Sequence, residues 1–325
     1  MNKKKVLWIT GAGGTVGSRL VLEAARRKHF EQIWAFTHTS GFIGNNPPGV
    51  AWSVLDITNQ EALQAAARHN PPDVVVNLAA VTNVDACELF QNEAYRVNAG
   101  GPGQLAEICR QHGTHMLQVS TDYVFPGDES QPGPYREDSK PAPINHYGQT
   151  KLDGERAVVE VCGGQVPYTI VRPAQVYGPV AGNRQNFVTW LVSKLQARER
   201  VRICREQWST PTLADDLAKV LLWIVDHERT GIYHAAGPQV LSLRAWLIMI
   251  VDFFELDGSL IEWTEVAASP QIAKRPLYSG LLCERLTEDI ALGAPSVRGV
   301  SEGLAGVDWH LSGNSHCVYN ANESV

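Results

Sequence analysis

The chain has 325 residues, of which 44% are hydrophobic and 19% charged, and this composition supports a large buried core. Its net charge of −6 and its sequence pI of about 5.9 argue against a nucleic-acid-binding protein, because such proteins usually carry a basic patch. The six cysteines lie far apart and form no CxxC pair, so we expect neither a disulfide framework nor a metal site.

The chain starts with basic residues at positions 3–5, which a short apolar run at 6–9 follows. A signal peptide needs a longer apolar region, and glycines interrupt this one at once. No stretch is apolar enough to span a bilayer. We therefore expect a soluble cytoplasmic protein with neither a membrane nor a nucleic acid as its partner.

Short apolar runs alternate with helical periodicity through the first half of the chain. The pattern predicts strands at residues 6–10, 32–36, 51–55, 74–78 and 115–120, and helices at residues 18–28, 60–69 and 92–112. This alternation is typical of βαβ units. An α/β fold is therefore expected, with a parallel sheet covered on both faces.

The second half begins with residues 128–145, which are rich in proline, glycine and charge and are predicted to form a surface loop. Beyond them the pattern predicts strands at 168–172 and 231–235, and helices at 148–161, 186–197, 213–226 and 243–254. The segment from residue 311 is polar and lacks periodicity, so residues 311–325 are expected to form a flexible tail.

A glycine-rich loop lies between the first predicted strand and the first predicted helix. Its glycines follow the spacing GxxGxxG at positions 11, 14 and 17. Glycines there allow a tight turn and let the backbone approach a pyrophosphate at the helix N-terminus. We assign to the cofactor site Gly11, Gly13, Gly14, Thr15, Val16 and Gly17.

The end of the second predicted strand indicates which dinucleotide is used. Enzymes that require NAD usually place an acidic residue there to bind the ribose 2′-hydroxyl, but this strand leads into Thr37, His38, Thr39 and Ser40. These side chains donate to a phosphate, and Arg19 would add charge if it turned towards the ribose. NADP(H) is therefore favoured, while NAD(H) stays open.

Two further strand ends are candidates for the cofactor site. Asp56 and Ile57 end the third strand, where an acid can meet the adenine ring, although Asp also commonly caps a helix. Leu78, Ala79 and Ala80 end the fourth strand, where small residues leave space for a cofactor, although strand termination alone explains them almost as well.

A tyrosine and a lysine, Tyr147 and Lys151, stand four residues apart on one face of a predicted helix. Carbonyl reduction needs a proton donor, and a nearby ammonium favours the anionic form of a tyrosine. Ser120 and Thr121 end the preceding strand, where either hydroxyl can orient a carbonyl oxygen. The alternative is an exposed helical pair and a strand-end hydroxyl that bonds to the backbone.

With these residues in place, the chain resembles the extended short-chain dehydrogenases, and more narrowly the dTDP-4-dehydrorhamnose reductase family. The resemblance covers about residues 5–290 and depends on the order of several short segments. The segments are residues 10–17, 82–88, 94–98, 120–125, 134–138, 143–151, 186–187, 211–212 with 215–218, and 275–276.

The resemblance implies a Rossmann-type doubly wound parallel sheet with a smaller C-terminal substrate-binding lobe. The dinucleotide-binding domain would comprise residues 1–177 and 208–245. The substrate-binding lobe would comprise residues 178–207 and 246–310. The substrate would be a nucleotide sugar, which is reduced at C4, and a homodimer stays open.

The resemblance also implies roles for single residues of this chain. Thr121, Tyr147 and Lys151 would form the catalytic group, in which Tyr147 protonates the sugar oxygen and Lys151 also holds the nicotinamide ribose. Asn98 and Arg172 would join the cofactor site. The residues assigned to the substrate site are Thr82, Val84, Ser120, Thr121, Tyr123, Gln175, Asn186 and Arg275, with a surface arginine as the alternative for Arg275.

Two positions bear on the reaction and on the sugar. Related dehydratases carry an acid directly after the Thr-Asp pair, but this chain has Tyr123 there, which favours reduction over dehydration. The reductases tend to place a tryptophan that faces the sugar where this chain has Gln175. A different deoxysugar or a branched sugar is therefore compatible with this sequence.

Two other functions stay open. Some relatives bind NADP and serve as regulatory subunits without turnover, as the methionine adenosyltransferase regulatory subunit does. A nucleotide-sugar epimerase would share the fold and the catalytic group. The Pro211-Thr212 and Asn186-Phe187 segments fit the reductases better.

Overall fold

The computed structural model describes residues 5–39, 47–180, 185–204, 206–265 and 271–309. The expected flexible tail at 311–325 lies outside these residues. Within the described ranges no helix combines the length and the apolar character needed to cross a membrane.

The strands of the described chain are numbered here in chain order. They are β1 Lys5–Thr10, β2 Phe30–Thr37, β3 Val50–Val54, β4 Val74–Asn77, β5 His115–Val119, β6 Tyr168–Arg172, β7 Val176–Tyr177, β8 Val201–Cys204, β9 Trp208–Ser209, β10 Thr212–Leu213, β11 Gly231–His234, β12 Leu241–Ser242 and β13 Ile261–Thr264. The sequence pattern missed the two-residue strands and also β8 and β13, because so few residues show no periodicity.

A seven-stranded parallel sheet, in the order β11-β6-β5-β4-β1-β2-β3, forms the centre of the described structure. The predicted Rossmann-type α/β fold is therefore confirmed. Successive residues of β1 face opposite sides of this sheet, and Leu7, Trp8 and Ile9 are all fully buried. The strand order reverses between β1 and β4, and in open sheets of this kind ligands bind outside the carboxyl ends of the strands at that point.

The helices, numbered in the same way, cover both faces of the sheet and build a second core. They are α1 Thr15–Arg27, α2 Gln60–His69, α3 Val84–Leu89, α4 Gln91–Tyr95, α5 Gly101–His112, α6 His146–Cys162, α7 Phe187–Gln196, α8 Ala214–Asp226, α9 Leu243–Phe253, α10 Glu284–Ile290 and α11 Val300–Ala305. Helices α1 and α8 pack on one face of the sheet, and α2, α5 and α6 pack on the other.

Two helices differ from the sequence prediction. Helix α1 begins at Thr15, three residues before the predicted start, because the glycines that open it carry no apolar periodicity. The helix predicted at 92–112 is divided into α4 and α5 by a single π-helical turn, Arg96–Gly100. Such turns are frequent at functional sites, and this one contains Asn98.

The second core is formed by apolar side chains of α7, β8, α9, β13 and α11. Tyr177 and Leu213, which belong to the paired strands β7 and β10, join this core directly beyond the end of β6.

Helix α10 lies within the range expected for the second lobe, yet its Leu286 packs in the core of the sheet. The Tyr233 hydroxyl of β11 also donates to Asp289 of α10 at 2.8 Å.

Candidate active site

Close packing against neighbouring backbone requires glycine at two positions of the loop at the carboxyl end of β1. Gly11 has φ +65°, and a Cβ added to it would lie 2.6 Å from the backbone of Leu78 and Ala79. A Cβ added to Gly17 would lie 2.2 Å from the Gly11 carbonyl oxygen. Only glycine fits these two positions, so the loop lies directly against the end of β4.

The first turn of α1 forms a cradle above this loop. Gly14 is the N-cap, so no side chain caps the helix, and the first turn holds no acidic residue. The first N–H groups of a helix have no partner within it, and the helix dipole adds positive potential there. A Cβ added to Gly14 would meet only the Gly11 carbonyl oxygen, at 3.2 Å. These features fit the pyrophosphate of a dinucleotide.

The end of β2 carries the residues expected at the adenosine ribose. The Thr37 hydroxyl donates to the Thr39 carbonyl oxygen at 3.0 Å, and His38 and Thr39 are exposed. Ser40 lies outside the described residues. Arg19 does not turn towards the ribose, because its Nε donates to Asp215 of α8 at 2.9 Å, so the condition under which it would add charge there is not met.

Asp56 and its neighbours lie at the same edge of the sheet. The Asp56 carboxylate accepts from the backbone N–H and the hydroxyl of Thr58, both at 2.8 Å. Although burial opposes the shift, these hydrogen bonds lower the pKa of Asp56. The cap of α2 is Asn59 rather than Asp56, so the capping interpretation was wrong. Ile57 is buried in the core beneath, and Leu78, Ala79 and Ala80 are half-buried beside the glycine loop.

The predicted catalytic pair lies in the first two turns of α6. The Asn145 side chain caps this helix by accepting from the Gly148 N–H at 2.7 Å. Helix α6 therefore starts at His146 and includes Tyr147. The Lys151 ammonium donates to the Val119 carbonyl oxygen at the end of β5, at 2.7 Å. Burial lowers the pKa of Lys151 to about 8.

Tyr147 is buried against the strand end that carries Thr121. Its ring contacts Tyr123 edge-on at a centroid distance of 5.8 Å, and the Thr121 side chain acts on its pKa in the lowering direction. Burial raises the pKa of Tyr147 above its usual range, so the expected lowering by the ammonium is not observed. The phenol is therefore protonated at neutral pH, which is the form that a proton donor requires.

The strand end after β5 supplies three polar side chains. The Thr121 hydroxyl donates to Asp122 at 3.3 Å and accepts from the Tyr123 N–H at 3.3 Å. The Ser120 hydroxyl is buried and has no hydrogen-bond partner among the described residues. Asp122 accepts from the Ser279 hydroxyl at 2.7 Å, and burial raises the pKa of Asp122 to about 6.

Asp122 and Ser279 were missed by sequence reasoning as parts of the site. The Ser-Thr-Asp segment gave a signal for the aspartate, but its partner lies 157 positions further along the chain. No local pattern relates residues at that separation. Among the described residues no group of three or more His, Cys, Asp or Glu side chains could hold a metal ion.

The loop after β4 brings the residues expected to contact substrate next to the tyrosine. Val84 packs in a small cluster with Cys87 and Tyr147, and Thr82 is exposed beside it. Asn98 fixes this loop, since its side chain accepts from the Val81 N–H at 2.8 Å and donates to the Val81 carbonyl at 3.0 Å. The polar atoms of Asn98, which was assigned to the cofactor site, are thus engaged by the protein.

Three more of the assigned residues are held by protein partners. Arg172 is 2% exposed and forms two hydrogen bonds with Glu155, at 2.9 and 2.6 Å. The Asn186 side chain caps α7 and donates to the Gly178 carbonyl at 2.6 Å. Arg275 pairs with Asp85 at 3.0 Å and is mostly buried, so the surface interpretation of Arg275 was wrong.

Gln175 lies in the short connection between β6 and β7, directly before β7, and its backbone is left-handed, with φ +42°. Its side chain lines a cavity of about 360 Å³, a volume that includes the open mouth. Asp122 and Tyr123 line the same cavity, and Tyr123 joins it to the Tyr147 ring. The structure thus brings Thr121, Tyr147, Lys151, Tyr123 and Gln175 together at the carboxyl edge of the sheet.

Comparisons with known proteins agree with this arrangement. A family model described as RmlD substrate binding domain matches residues 4–303. A dTDP-4-dehydrorhamnose reductase of Mycobacterium tuberculosis is 34% identical over 278 residues, which cover 85% of this chain and 84% of that protein. A dTDP-4-keto-6-deoxy-D-glucose reductase of Streptomyces niveus is 35% identical over 229 residues, which cover 70% of this chain and 72% of that protein.

Solved structures show the same architecture. A dTDP-4-dehydrorhamnose reductase of Bacillus anthracis in complex with NADP has a TM-score of 0.79 and 27% identity, and the match covers 94% of this chain and 98% of that one. A dTDP-4-dehydrorhamnose reductase of Clostridium acetobutylicum has a TM-score of 0.76 and 30% identity, with 93% and 97% covered.

Proposed function

The chain belongs to the dTDP-4-dehydrorhamnose reductase family, and from this premise we propose that it is an NADP(H)-dependent reductase of the C4 ketone of a nucleotide-linked deoxysugar. The observation that carries the proposal is the meeting of Thr121, Tyr147 and Lys151 at the carboxyl edge of the sheet, next to a glycine loop that fits a pyrophosphate. Two similar proteins are named as reductases of 4-keto nucleotide sugars.

The glycine loop and the end of β2 fit the two phosphate-bearing parts of the cofactor. Gly11, Gly14 and the first turn of α1 would hold the pyrophosphate, and His38 and Thr39 would face the 2′-phosphate. When bound, the reduced nicotinamide supplies the hydride for the C4 carbonyl. NADP(H) is favoured because β2 ends in hydroxyl and imidazole groups and carries no acid in the described residues 37–39.

The side chains of this chain supply the proton and the orientation. Tyr147 is protonated at neutral pH and donates its proton to the C4 oxygen as negative charge develops there. Thr121 would turn its single hydroxyl hydrogen from Asp122 to the same oxygen and fix the position of that oxygen relative to the phenol. Lys151, buried one helical turn from Tyr147, carries positive charge that stabilises the phenolate left after the transfer.

The two cores support a division into two lobes. The sheet and its helices hold the groups that act on the carbonyl and the cofactor. The core built by α7, β8, α9, β13 and α11 would present the substrate-binding face, in residues 178–207 and 246–310 apart from α10, which packs with the sheet. The nucleotide sugar would lie between them, above Tyr123 and Gln175.

Absorbance of the reduced cofactor tests this function. The purified protein is incubated with NADPH or NADH and a panel of dTDP- and UDP-linked 4-keto-6-deoxysugars. We expect oxidation of NADPH with at least one of them, and a kcat/KM for NADPH at least equal to that for NADH. A regulatory subunit or an epimerase would give no net oxidation with any sugar of the panel, and that result would contradict the proposal.

A further inference from the structure

The face of α6 that carries the catalytic pair continues for one more helical turn. Tyr147, Lys151 and Glu155 are spaced four residues apart, so their side chains follow one another on the same face of the helix. All three are buried, and Glu155 is only 4% exposed. Carboxylates are almost never fully buried unless they are paired, and the proposed reaction gives this one no role.

Arg172 at the end of β6 pairs with this carboxylate. Its Nε donates to Glu155 Oε1 at 2.9 Å, and its Nη2 donates to Oε2 at 2.6 Å, so one planar group holds both oxygens. Ile170, two residues earlier on β6, packs in the core with α6, so Arg172 points to the same face of the sheet. The Arg172 Cζ also lies 5.1 Å from the centroid of the Phe125 ring. These contacts fix the orientation of the Glu155 side chain.

Lys151 lies on the helix between this ion pair and the tyrosine. Its ammonium donates to the Val119 carbonyl oxygen at 2.7 Å, so Glu155 acts on it through space from one helical turn away. Two buried charges at that range interact strongly, because little water screens them. Burial lowers the pKa of Lys151 to about 8, and the Glu155 carboxylate opposes this lowering.

The other ionisable groups around Lys151 do not supply a negative charge at neutral pH. The Cys87 thiol of α3 also acts on Lys151, but burial raises the pKa of this thiol to about 11, so it stays protonated. Asp122, in the segment after β5, acts on Tyr147. The positive charge of Arg172 on β6 is neutralised within the ion pair itself.

The helices beside α6 direct their charges elsewhere. Asp85 of α3 pairs with Arg275, and Glu88 of α3 accepts from the backbone at the start of α6. Glu93 of α4 and Arg96 of the π-helical turn are exposed. Helix α5 contacts α6 through residues without an ionisable group, which are Pro102, Gly103 and Ala106. The buried carboxylate one turn from Lys151 is therefore its counter-charge within the described part of the chain.

We propose that Glu155 is a positioning residue for the reaction: held in place by Arg172, its carboxylate keeps Lys151 in the ammonium form that proton transfer from Tyr147 requires. The proposal rests on the proposed function and adds to it two residues that act through Lys151. Without the carboxylate, the buried ammonium has no counter-charge and loses its proton at a lower pH. The phenolate left by the transfer then lacks the positive charge that stabilises it.

The pH dependence of kcat/KM tests this role, measured with NADPH and the 4-keto nucleotide sugar that the panel identifies. Activity should fall with rising pH as Lys151 loses its proton, and in Glu155→Gln the midpoint of this fall should lie at least about 0.5 pH unit below that of wild type. Glu155→Asp keeps the charge, so its midpoint should stay closer to wild type than that. Glu160→Gln, at an exposed position of the same helix, is the control and should match wild type.

A purely structural role would give a different result. It would lower kcat/KM of Glu155→Gln by one factor at every pH and leave the midpoint in place, which would overturn the proposal. If Glu155→Gln does not fold, the double variant Glu155→Leu/Arg172→Met decides, because buried ion pairs are often replaceable by apolar residues. Its midpoint should also fall by at least about 0.5 pH unit, and a smaller shift would contradict the role of Glu155.

A measurement without turnover separates this proposal from the proposed function. If no sugar oxidises NADPH, the proposed function fails, and NMR titration of the ε-carbons of isotope-labelled lysine then decides the role of Glu155 alone. Lys151→Met identifies the Lys151 resonance. A titration midpoint at least about 0.5 pH unit lower in Glu155→Gln than in wild type supports the proposal, and a smaller shift contradicts it.

Discussion

The cofactor side and the substrate side of the site are held in place by different kinds of contact. On the cofactor side, backbone packs on backbone, since added Cβ atoms at Gly11 and Gly17 would lie 2.6 and 2.2 Å from neighbouring main-chain atoms. On the substrate side, single side chains join the catalytic edge to the segment 272–279. Within one such contact, Asp85 accepts from the Ala273 N–H at 2.9 Å and pairs with Arg275 at 3.0 Å.

Two more contacts reach the same segment. The Asn145 side chain donates to the Lys274 carbonyl at 2.8 Å, and the Ser279 hydroxyl donates to Asp122 at 2.7 Å. This difference predicts how substitutions on the two sides will act. A substitution in the glycine loop places a side chain where the cofactor would bind. It should weaken cofactor affinity strongly and leave sugar binding unchanged. A substitution on the substrate side removes one hydrogen bond of several, so it should lower stability and sugar affinity only in part.

The largest loss of activity is expected at Tyr147, where the cofactor side and the substrate side meet. Tyr147→Phe removes the proton donor and keeps the ring packing, so kcat should fall by about 10²–10⁴-fold. Affinity for NADPH should stay within about threefold of wild type, because the glycine loop is untouched. Steady-state kinetics and calorimetry measure the two quantities, and Tyr95→Phe, at an exposed tyrosine, is the control. A Tyr147→Phe variant with the wild-type kcat would exclude this residue as the donor.

The glycine loop is tested by Gly14→Val. The added Cβ meets only one backbone oxygen at 3.2 Å, so the fold should survive while the side chain fills the cradle at the start of α1. Affinity for NADPH should weaken at least tenfold, or about 1.4 kcal/mol. The control is Gly100→Val, because an added Cβ there has no atom within 4 Å. Undiminished calorimetric affinity in folded Gly14→Val would refute this placement of the pyrophosphate.

The substrate side is tested by Ser279→Ala. The variant removes a donor from the buried Asp122 carboxyl, which should lower the free energy of unfolding by about 1–3 kcal/mol and weaken sugar binding more than NADPH binding. Ser130→Ala is a matched control, since Ser130 also donates to an aspartate at 2.7 Å but is exposed. The control should change stability by less than about 0.5 kcal/mol. Equal urea midpoints for the two variants would contradict a special role for the buried contact.

The effect that is most gradual is a pH dependence of stability at Lys151, because it is spread over several pH units. Burial lowers its pKa from 10.5 to about 8, so the unfolded chain holds the proton more strongly than the native one between these values. The destabilisation is fully present below pH 8 and is relieved as the pH rises towards 10.5. Wild type should therefore gain stability relative to Lys151→Met, by at most about 1.4 kcal/mol per pH unit. Parallel urea titrations at pH 7.5, 8.5 and 9.5 measure it, and a constant difference would contradict the buried ammonium.

The sequence predicted those parts of the fold and site that lie within short windows. The strands of the sheet are short apolar runs because both faces are buried, as β4 shows with Val74, Val75 and Val76. The glycine loop is recognisable because its three close approaches repeat every third residue. Tyr147 and Lys151 are recognisable because one helical turn separates them.

The rest could not be predicted because it depends on distant partners. Arg19 looked free to reach the ribose, but it pairs with Asp215, 196 positions away. The neighbouring Lys151 was expected to favour the anionic form of Tyr147, but burial dominates the pKa of Tyr147, and burial is a property of the whole fold. The cavity wall combines residues 175, 208 and 246, which no periodicity connects.

Isotope transfer tests the central claim most directly. The protein is incubated with NADPH deuterated at the transferable C4 position and with the 4-keto nucleotide sugar that the panel identifies, and the product is examined by mass spectrometry and NMR. We predict one deuterium at C4 of the sugar, a new C4 hydroxyl, and loss of this product in Tyr147→Phe but not in Tyr95→Phe. Deuterium elsewhere in the sugar, or an unlabelled C4 epimer, would contradict reduction of the C4 ketone by this site.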